Sequence, residues 1–156
     1  MKDEKFINAA NIYKDTIFRI ALNYFKNVHD AEDVVQDVLL KLYTHKKNFE
    51  SEDYLRHWII RVSINRCKNI SRAPWRKKHT SMHGISDSVV FDNPAENELL
   101  SYVMKLPEKY RIIIYLFYYE EYSVKEIAGL LKISNSSVTT RLTRGRNKLK
   151  SALKEV

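Results

Sequence analysis

Apolar side chains recur every three to four positions from residue 1 to about 72 and again from 94 to 156, and between them the rhythm stops. A period near 3.6 marks helices that each bury one face, so the chain is expected to be all-α with two separate small helical domains. The interrupting stretch, APWRKKHTSMHGISDSVVFDNP, gathers Pro74, Gly84 and Pro94 among Ser and Thr and reads as a flexible linker over residues 73–93. Three Gly and three Pro in 156 residues are too few for a fold built on tight β-turns. The length is short for two ordinary domains and sufficient for two small helical ones, 1–72 and 94–156.

Charge narrows the partners. With 27 Lys+Arg against 19 Asp+Glu the net charge is +8, which suits a polyanion but does not separate DNA, RNA and acidic membrane. Cys67 is the only cysteine, so no internal disulfide can form; a reducing compartment and a small buried thiol are expected. The opening MKDEKFINAANIYKD lacks the apolar run of a signal peptide, and nowhere do about 18 apolar residues follow one another. A soluble, cytoplasmic protein without membrane insertion is expected.

In the first zone Phe6, Ala9, Ala10, Tyr13, Ile17, Ile20, Ala21 and Tyr24 predict one helix. A second is expected to start at Asp30 as its N-cap, with Glu32 and Asp33 in a first turn where the helix dipole favours them. A third should run from about Asp53 to Ser71. In the second zone helices are expected near Ala95–Lys105 and from Pro107 to Glu120.

The strongest local signal is a helix-turn-helix between Ser123 and about Leu153. Ser123 and Glu126 form a capping box ahead of Ile127, Ala128, Leu130 and Leu131, and Ser134 or Asn135 can cap the second helix. There Val138, Leu142, Gly145 and Leu149 make one stripe, while Ser137, Thr139, Thr140, Arg141, Arg144 and Lys148 lie elsewhere on the surface. From Thr139 to Lys154 six residues are basic and none is acidic. Short hydroxyls at the start and arginines further along suit a helix that reads the major groove and grips phosphates; a merely solvated basic helix is the alternative.

Two further patches stand out. On the helix DAEDVVQDVLLKLY, the residues Ala31, Val34, Val35, Val38, Leu39 and Leu42 form the buried stripe. Asp33, Gln36, Asp37 and Lys41 face away with Leu40 among them, which fits either a protein-contact patch or plain solvated surface. Asp33 and Asp37 lack a His or Cys at ligand spacing, so no metal is expected there. His79 and His83 with Cys67 are an equally weak zinc set, because the histidines fall in the linker. The other patch follows Phe49: ESEDYLRHW, then IIRVSINRCKNISR, with five basic residues and no acidic one from Lys68 to Lys78 beside Trp75. Basic groups interleaved with aromatics suit unstacked single strands, although Phe49 and Trp58 are equally readable as core.

At this point the chain resembles the extracytoplasmic-function sigma factors of the sigma-70 family. DAEDVVQDVLLKLY, the Phe49…Trp58 spacing and WIIRVSINRCKN are similar to sigma region 2, and the stretch from Asn93 to Leu153 is similar to region 4. The resemblance implies that Asp30, Asp33, Gln36, Asp37 and Leu40 dock on the β′ clamp helices of RNA polymerase. It implies that Phe49, Ser51, Glu52, Asp53 and Tyr54 belong to a loop capturing a flipped −10 base, with Asn65 in its pocket and Arg61, Arg66 and Lys68 along the melted strand. It implies that Ser136, Ser137, Thr139, Thr140, Arg141, Arg144 and Lys148 read the −35 element, and that the helix from Pro107 to Glu120 meets the β flap. Core polymerase, promoter DNA and an anti-sigma factor are the implied partners, with no cofactor and no catalysis.

Three departures accompany the resemblance. Lys132 stands where the family usually has Gly, and Gly145 where it usually has Ala, each at a cost of about 1 kcal/mol. ESEDY replaces a commoner small, Gly-containing loop. No appended sensor domain is expected after the reading helix. Phosphate-loop, nucleophile-elbow and HExxH patterns are missing from the sequence. A duplex-operator regulator and a protein-interaction module that never touches DNA remain the alternatives, separated by co-purification with polymerase and a promoter-melting assay.

Overall fold

A computed structural model of the chain describes residues 1–73 and 94–154, the side chains of 94–97 excepted. The described residues are helical with no strand, as the periodicity requires. Packing divides the chain into two compact units, Met1–Gly84 and Ile85–Val156. Apart from Ala73, the expected linker lies outside the described residues, as do His79 and His83.

The first unit holds α1 (Asp3–Phe25), α2 (Val28–Tyr43) and α3 (Glu52–Arg72), with α1 packed on both of the others. Its core is aliphatic: Ile17, Ile20 and Leu22 from α1, Val34 and Leu42 from α2, Ile59, Ile60 and Ile64 from α3. Cys67 is buried at the end of this stripe, as expected. Lys26 closes α1 in the left-handed conformation (φ 54°), its N–H donating to the Leu22 carbonyl at 3.0 Å. The chain can therefore turn into α2 within two residues. Asn27, rather than Asp30, caps α2: the Asn27 side chain accepts from the Asp30 N–H at 3.1 Å. Both residues are good caps, and Asn27 prevails because the reversal at Lys26 already lets helix begin at Val28; Asp30 then becomes a first-turn acid. Ser51 caps α3, accepting from the Tyr54 N–H at 3.1 Å. Glu52, Asp53 and Tyr54 are thus first-turn helix: the helix begins one residue before the Asp53 that the periodicity gave, and the loop ends before the Glu52–Tyr54 stretch that the resemblance placed in it.

The second unit holds α4 (Pro94–Val103), α5 (Glu108–Ile114), α6 (Val124–Leu131) and α7 (Asn135–Lys154). The helix expected to run from Pro107 to Glu120 is divided: α5 passes into a wide π-helical turn, Tyr115–Tyr119, closed by Glu120 N–H to the Tyr115 carbonyl at 3.2 Å. Tyr115 stacks on Tyr119 (5.2 Å, 14°) and donates to Glu120 Oε1 at 2.8 Å, which holds that turn. Ile113, Leu116, Ile127 and Leu142 are fully buried. Arg111 is buried with them, its guanidinium donating to the Leu106 carbonyl at 2.8 Å. Burial lowers its pKa, opposed by Glu108.

The helix-turn-helix forms as the sequence predicts. Ser123 Oγ accepts from the Glu126 N–H (3.1 Å) and Glu126 Oε1 from the Ser123 N–H (3.0 Å), a complete capping box. Lys132 ends α6 at φ 58°, ψ 47°, so the non-Gly residue does occupy the left-handed turn. Ser134 then caps α7, accepting from the Ser137 N–H at 3.1 Å. Gly145 has a reason: a Cβ there would sit 3.2 Å from Tyr110 Cβ and 3.3 Å from Ile114, so α7 packs on α5 at a distance only glycine fits without displacement.

Candidate nucleic-acid and protein interfaces

On α2 the buried row is Ala31, Val34, Val38 and Leu42, with Val35 and Leu39 half-buried beside it. This leaves Asp33 and Gln36 exposed and Leu40 62 % exposed, an apolar side chain in a polar field. Asp30 is half-buried in the first turn. Asp37 Oδ2 accepts from Arg66 Nε at 2.8 Å, the two side chains 41 % and 38 % exposed. A pair this open contributes about 0.2–1 kcal/mol. It joins a residue expected to meet protein to one expected to meet DNA.

The α2–α3 connection is an aromatic cluster. Phe49 stacks on His45 (4.5 Å, 19°) and meets Trp58 edge-on at 5.3 Å, with Tyr54 at 6.1 Å. Phe49 and Trp58 are half-buried and Tyr54 exposed, so these rings are neither wholly core nor free. Beside the cluster opens a cavity of about 300 Å³ lined by Lys5 and Asn8 of α1, by Asn48 and Phe49 of the loop, and by Ser51 and Glu52. Asp53 and Tyr54 do not line it. Asn65 does not either: it is half-buried three turns further along α3, about 16 Å up the axis from Tyr54. Arg61 is exposed, and Arg66 and Lys68 are half-buried on the same helix.

Sequence reasoning counted Tyr13 only among the periodic residues of the first helix. The structure adds that its hydroxyl donates to Glu52 Oε2 at 2.8 Å, tying α1 to the first turn of α3. Burial first, then this bond to Glu52, pushes the Tyr13 pKa up to about 12, so the hydroxyl remains a donor at neutral pH. Thirty-nine residues separate the pair, and no local pattern announces it.

The third surface lies at the start of α7. Ser136, Ser137, Thr140, Arg141 and Arg144 line an open cleft of about 320 Å³. Lys109, from the first turn of α5, lines it too. Thr139 and Lys148 are exposed outside the cleft, Thr139 donating back to the Asn135 carbonyl at 3.1 Å. Lys109 is the residue the sequence reading missed: it joins the reading helix only because α5 packs against α7.

Among the described residues no group of three or more His, Cys, Asp or Glu could hold a metal ion, and no helix is long and apolar enough to cross a membrane. The described residues thus form two helical modules, one with a basic helix-turn-helix and the other with an aromatic loop beside a basic helix. Comparison with known proteins gives the chain's family. The Sigma-70 region 2 model matches residues 10–77 and the Sigma-70, region 4 model residues 96–149. The RNA polymerase sigma factor SigZ of Bacillus subtilis is 33% identical over 132 residues, covering 79% of this chain and 72% of that protein. The ECF RNA polymerase sigma factor SigW of the same organism is 28% identical over 172 residues, covering 98% of this chain and 91% of SigW. The chain belongs to the sigma-70 family, among its extracytoplasmic-function sigma factors. It is an alternative sigma factor: it binds core RNA polymerase and promoter DNA, and it directs promoter-specific transcription without an enzymatic step of its own. In fold it is similar to the sigma factor RpoE of Bartonella quintana, solved in complex with the anti-sigma factor NepR (TM-score 0.71, 22% identity, 97% of this chain and 98% of that one). It is also similar to CnrH, solved with the cytosolic domain of CnrY (TM-score 0.63, 23% identity, 99% and 90%).

Proposed function

We propose that residues 1–72 form the polymerase-docking and −10-melting domain, 73–93 the linker, and 94–156 the −35-reading domain. Asp30, Asp33, Gln36 and Asp37 surround Leu40 as a docking patch for the β′ clamp helices. The buried apolar residues of α5 are unavailable to the β flap, so that contact falls on exposed Tyr118 and Tyr119 of the π-helical turn. Ser136, Ser137, Thr139, Thr140, Arg141, Arg144 and Lys148 meet the −35 duplex, with Lys109 adding a phosphate contact.

In the −10 region Phe49, Ser51 and Glu52 line the cavity that receives an unstacked base, Asp53 and Tyr54 flank it on the first turn of α3, and Arg61, Arg66 and Lys68 run beside the separated strand. Asn65, outside the cavity, contacts that strand from the helix rather than the captured base. An anti-sigma factor covering both modules in the cytoplasm is the expected regulator.

The observation that carries this reading is the pairing, within one chain, of a basic cleft at a reading helix with an aromatic, cavity-forming loop. The test is reconstitution with core polymerase: Leu40→Ala with Asp33→Ala should weaken core binding while leaving helicity unchanged. Full affinity in that double variant would reduce the patch to solvated surface.

A further inference from the structure

The cavity between α1 and the α2–α3 loop has a chemistry that the base-capture reading does not by itself require. Its walls are mixed: the Phe49 ring offers an apolar face, Lys5 and Lys47 offer cations, and Asn8 and Asn48 offer amides that both donate and accept. Glu52 is the one carboxylate lining it. A carboxylate is an acceptor only, and it is an unfavourable group to set beside a nucleic-acid backbone unless something recognises it. Glu52 is also fixed at both ends of its reach. Its backbone opens α3 directly after the Ser51 cap, and its Oε2 is held by the buried Tyr13 hydroxyl at 2.8 Å. The wall opposite is fixed too: Tyr43 donates to Asp3 at 3.1 Å and meets Phe6 edge-on at 5.0 Å, pinning the first turns of α1 to the end of α2.

We propose that this cavity seats the extruded −10 base and that Glu52, positioned by Tyr13, selects a base bearing an exocyclic amino group over thymine. The inference rests on the base-capture reading and deepens it. With Oε2 engaged by Tyr13, the lone pairs of Oε1 are left for a donor from the base. Cytosine N4 and adenine N6 present an amino group of that kind, and acceptance from cytosine N4 is a known use of Glu in base readout. Thymine presents a carbonyl oxygen at the equivalent edge, which a carboxylate repels. Phe49 supplies stacking that is indifferent to base identity, and the lysines hold the flanking phosphates. Stacking and charge thus set affinity, and Glu52 sets preference. Tyr13 touches no base; it is a positioning residue, and a neutral hydroxyl at every physiological pH lets it hold that role.

The test uses holoenzyme reconstituted from the full chain and core polymerase on promoters premelted over the −10 element. Each position of the exposed non-template strand is varied among the natural bases and, where cytosine or adenine is preferred, replaced by 2-pyrimidinone or purine, which keep the ring and delete the amine. At one position the wild-type protein should prefer the amino-bearing base to thymine by about tenfold, and deleting the amine should remove the preference. Glu52→Gln should abolish the discrimination while keeping an oxygen for Tyr13. Tyr13→Phe should narrow it with little change in binding to a template abasic at that position, a separation that a general loss of structure would not produce. A tenfold preference that survives Glu52→Gln, or that survives loss of the amine, overturns the proposal and leaves base capture standing. Finding no base-sensitive position, together with an unchanged open complex in Phe49→Ala, overturns base capture itself and the proposal with it.

Discussion

The contact of Gly145 with α5 yields a prediction whose sign is set by geometry. Two glycines occupy helices of the second unit, and replacing each with alanine gives the same gain in helix propensity, about 1 kcal/mol. Gly129 in α6 is exposed with nothing within 4 Å of the place its Cβ would take, so Gly129→Ala should realise most of that gain. At Gly145 the new methyl meets Tyr110 Cβ at 3.2 Å and Ile114 at 3.3 Å. The Ile114 side chain can rotate aside, but Tyr110 Cβ is bonded to the α5 backbone and moves only if the helices separate. Overpacking of this kind costs about 1–3 kcal/mol. Gly145→Ala should therefore be neutral or destabilising by up to about 2 kcal/mol, even though the family usually has alanine there. Residues 94–156 contain no tryptophan, so tryptophan fluorescence is not the readout for this change. Amide hydrogen exchange read by mass spectrometry over residues 108–150 reports the opening free energy directly. If Gly145→Ala slows exchange as much as Gly129→Ala does, the close approach of α7 to α5 is wrong.

Other consequences are as specific. Lys132→Gly relieves a left-handed residue and should raise the stability of the second unit by about 1 kcal/mol, read in the same exchange experiment. Lys109→Ala and Arg144→Ala should each flatten the salt dependence of −35 duplex binding by about one unit; an unchanged slope in Lys109→Ala would remove α5 from the phosphate path. A double-mutant cycle on Asp37 and Arg66 should give a coupling of about 0.2–1 kcal/mol, and zero coupling would mean the pair is incidental. Tyr13 is an acid whose pKa rises on folding from 10.0 to about 12. Its contribution is therefore complete below pH 10 and lost as pH climbs toward 12, so the free energy of unfolding, measured from pH 9 to 12, should fall more steeply in wild type than in Tyr13→Phe.

Much of this architecture was legible in the residues because it is written in local terms. The 3.6 period found the helices, and the Ser123–Glu126 capping box located the helix-turn-helix, since both depend on neighbours within one turn or two. The basic, hydroxyl-rich surface of α7 was visible for the same reason. Helix boundaries were less clear where two caps competed: Asp30 is as good an N-cap as Asn27, and only the left-handed turn at Lys26 decides between them. The π-helical turn at Tyr115–Tyr119 breaks no sequence rule, because an apolar run permits either geometry and packing makes the choice. What the sequence could not show is what distant segments build together. Lys109 reaches the reading helix through the packing of α5 on α7, Gly145 is explained only by Tyr110 and Ile114, and Tyr13 meets Glu52 across thirty-nine residues.

The measurement that bears most directly on the account is permanganate reactivity of −10 thymines with reconstituted holoenzyme, set against closed-complex binding on the same promoter. Wild-type protein should expose those thymines only in the presence of core polymerase. Phe49→Ala, substitutions at 50–54 and Asn65→Ala should each lower the reactivity more than they lower closed-complex binding, because they act on a strand that is already separating. Equal losses in the two complexes would contradict the account, leaving the loop and α3 as scaffold and melting to be sought elsewhere in the holoenzyme.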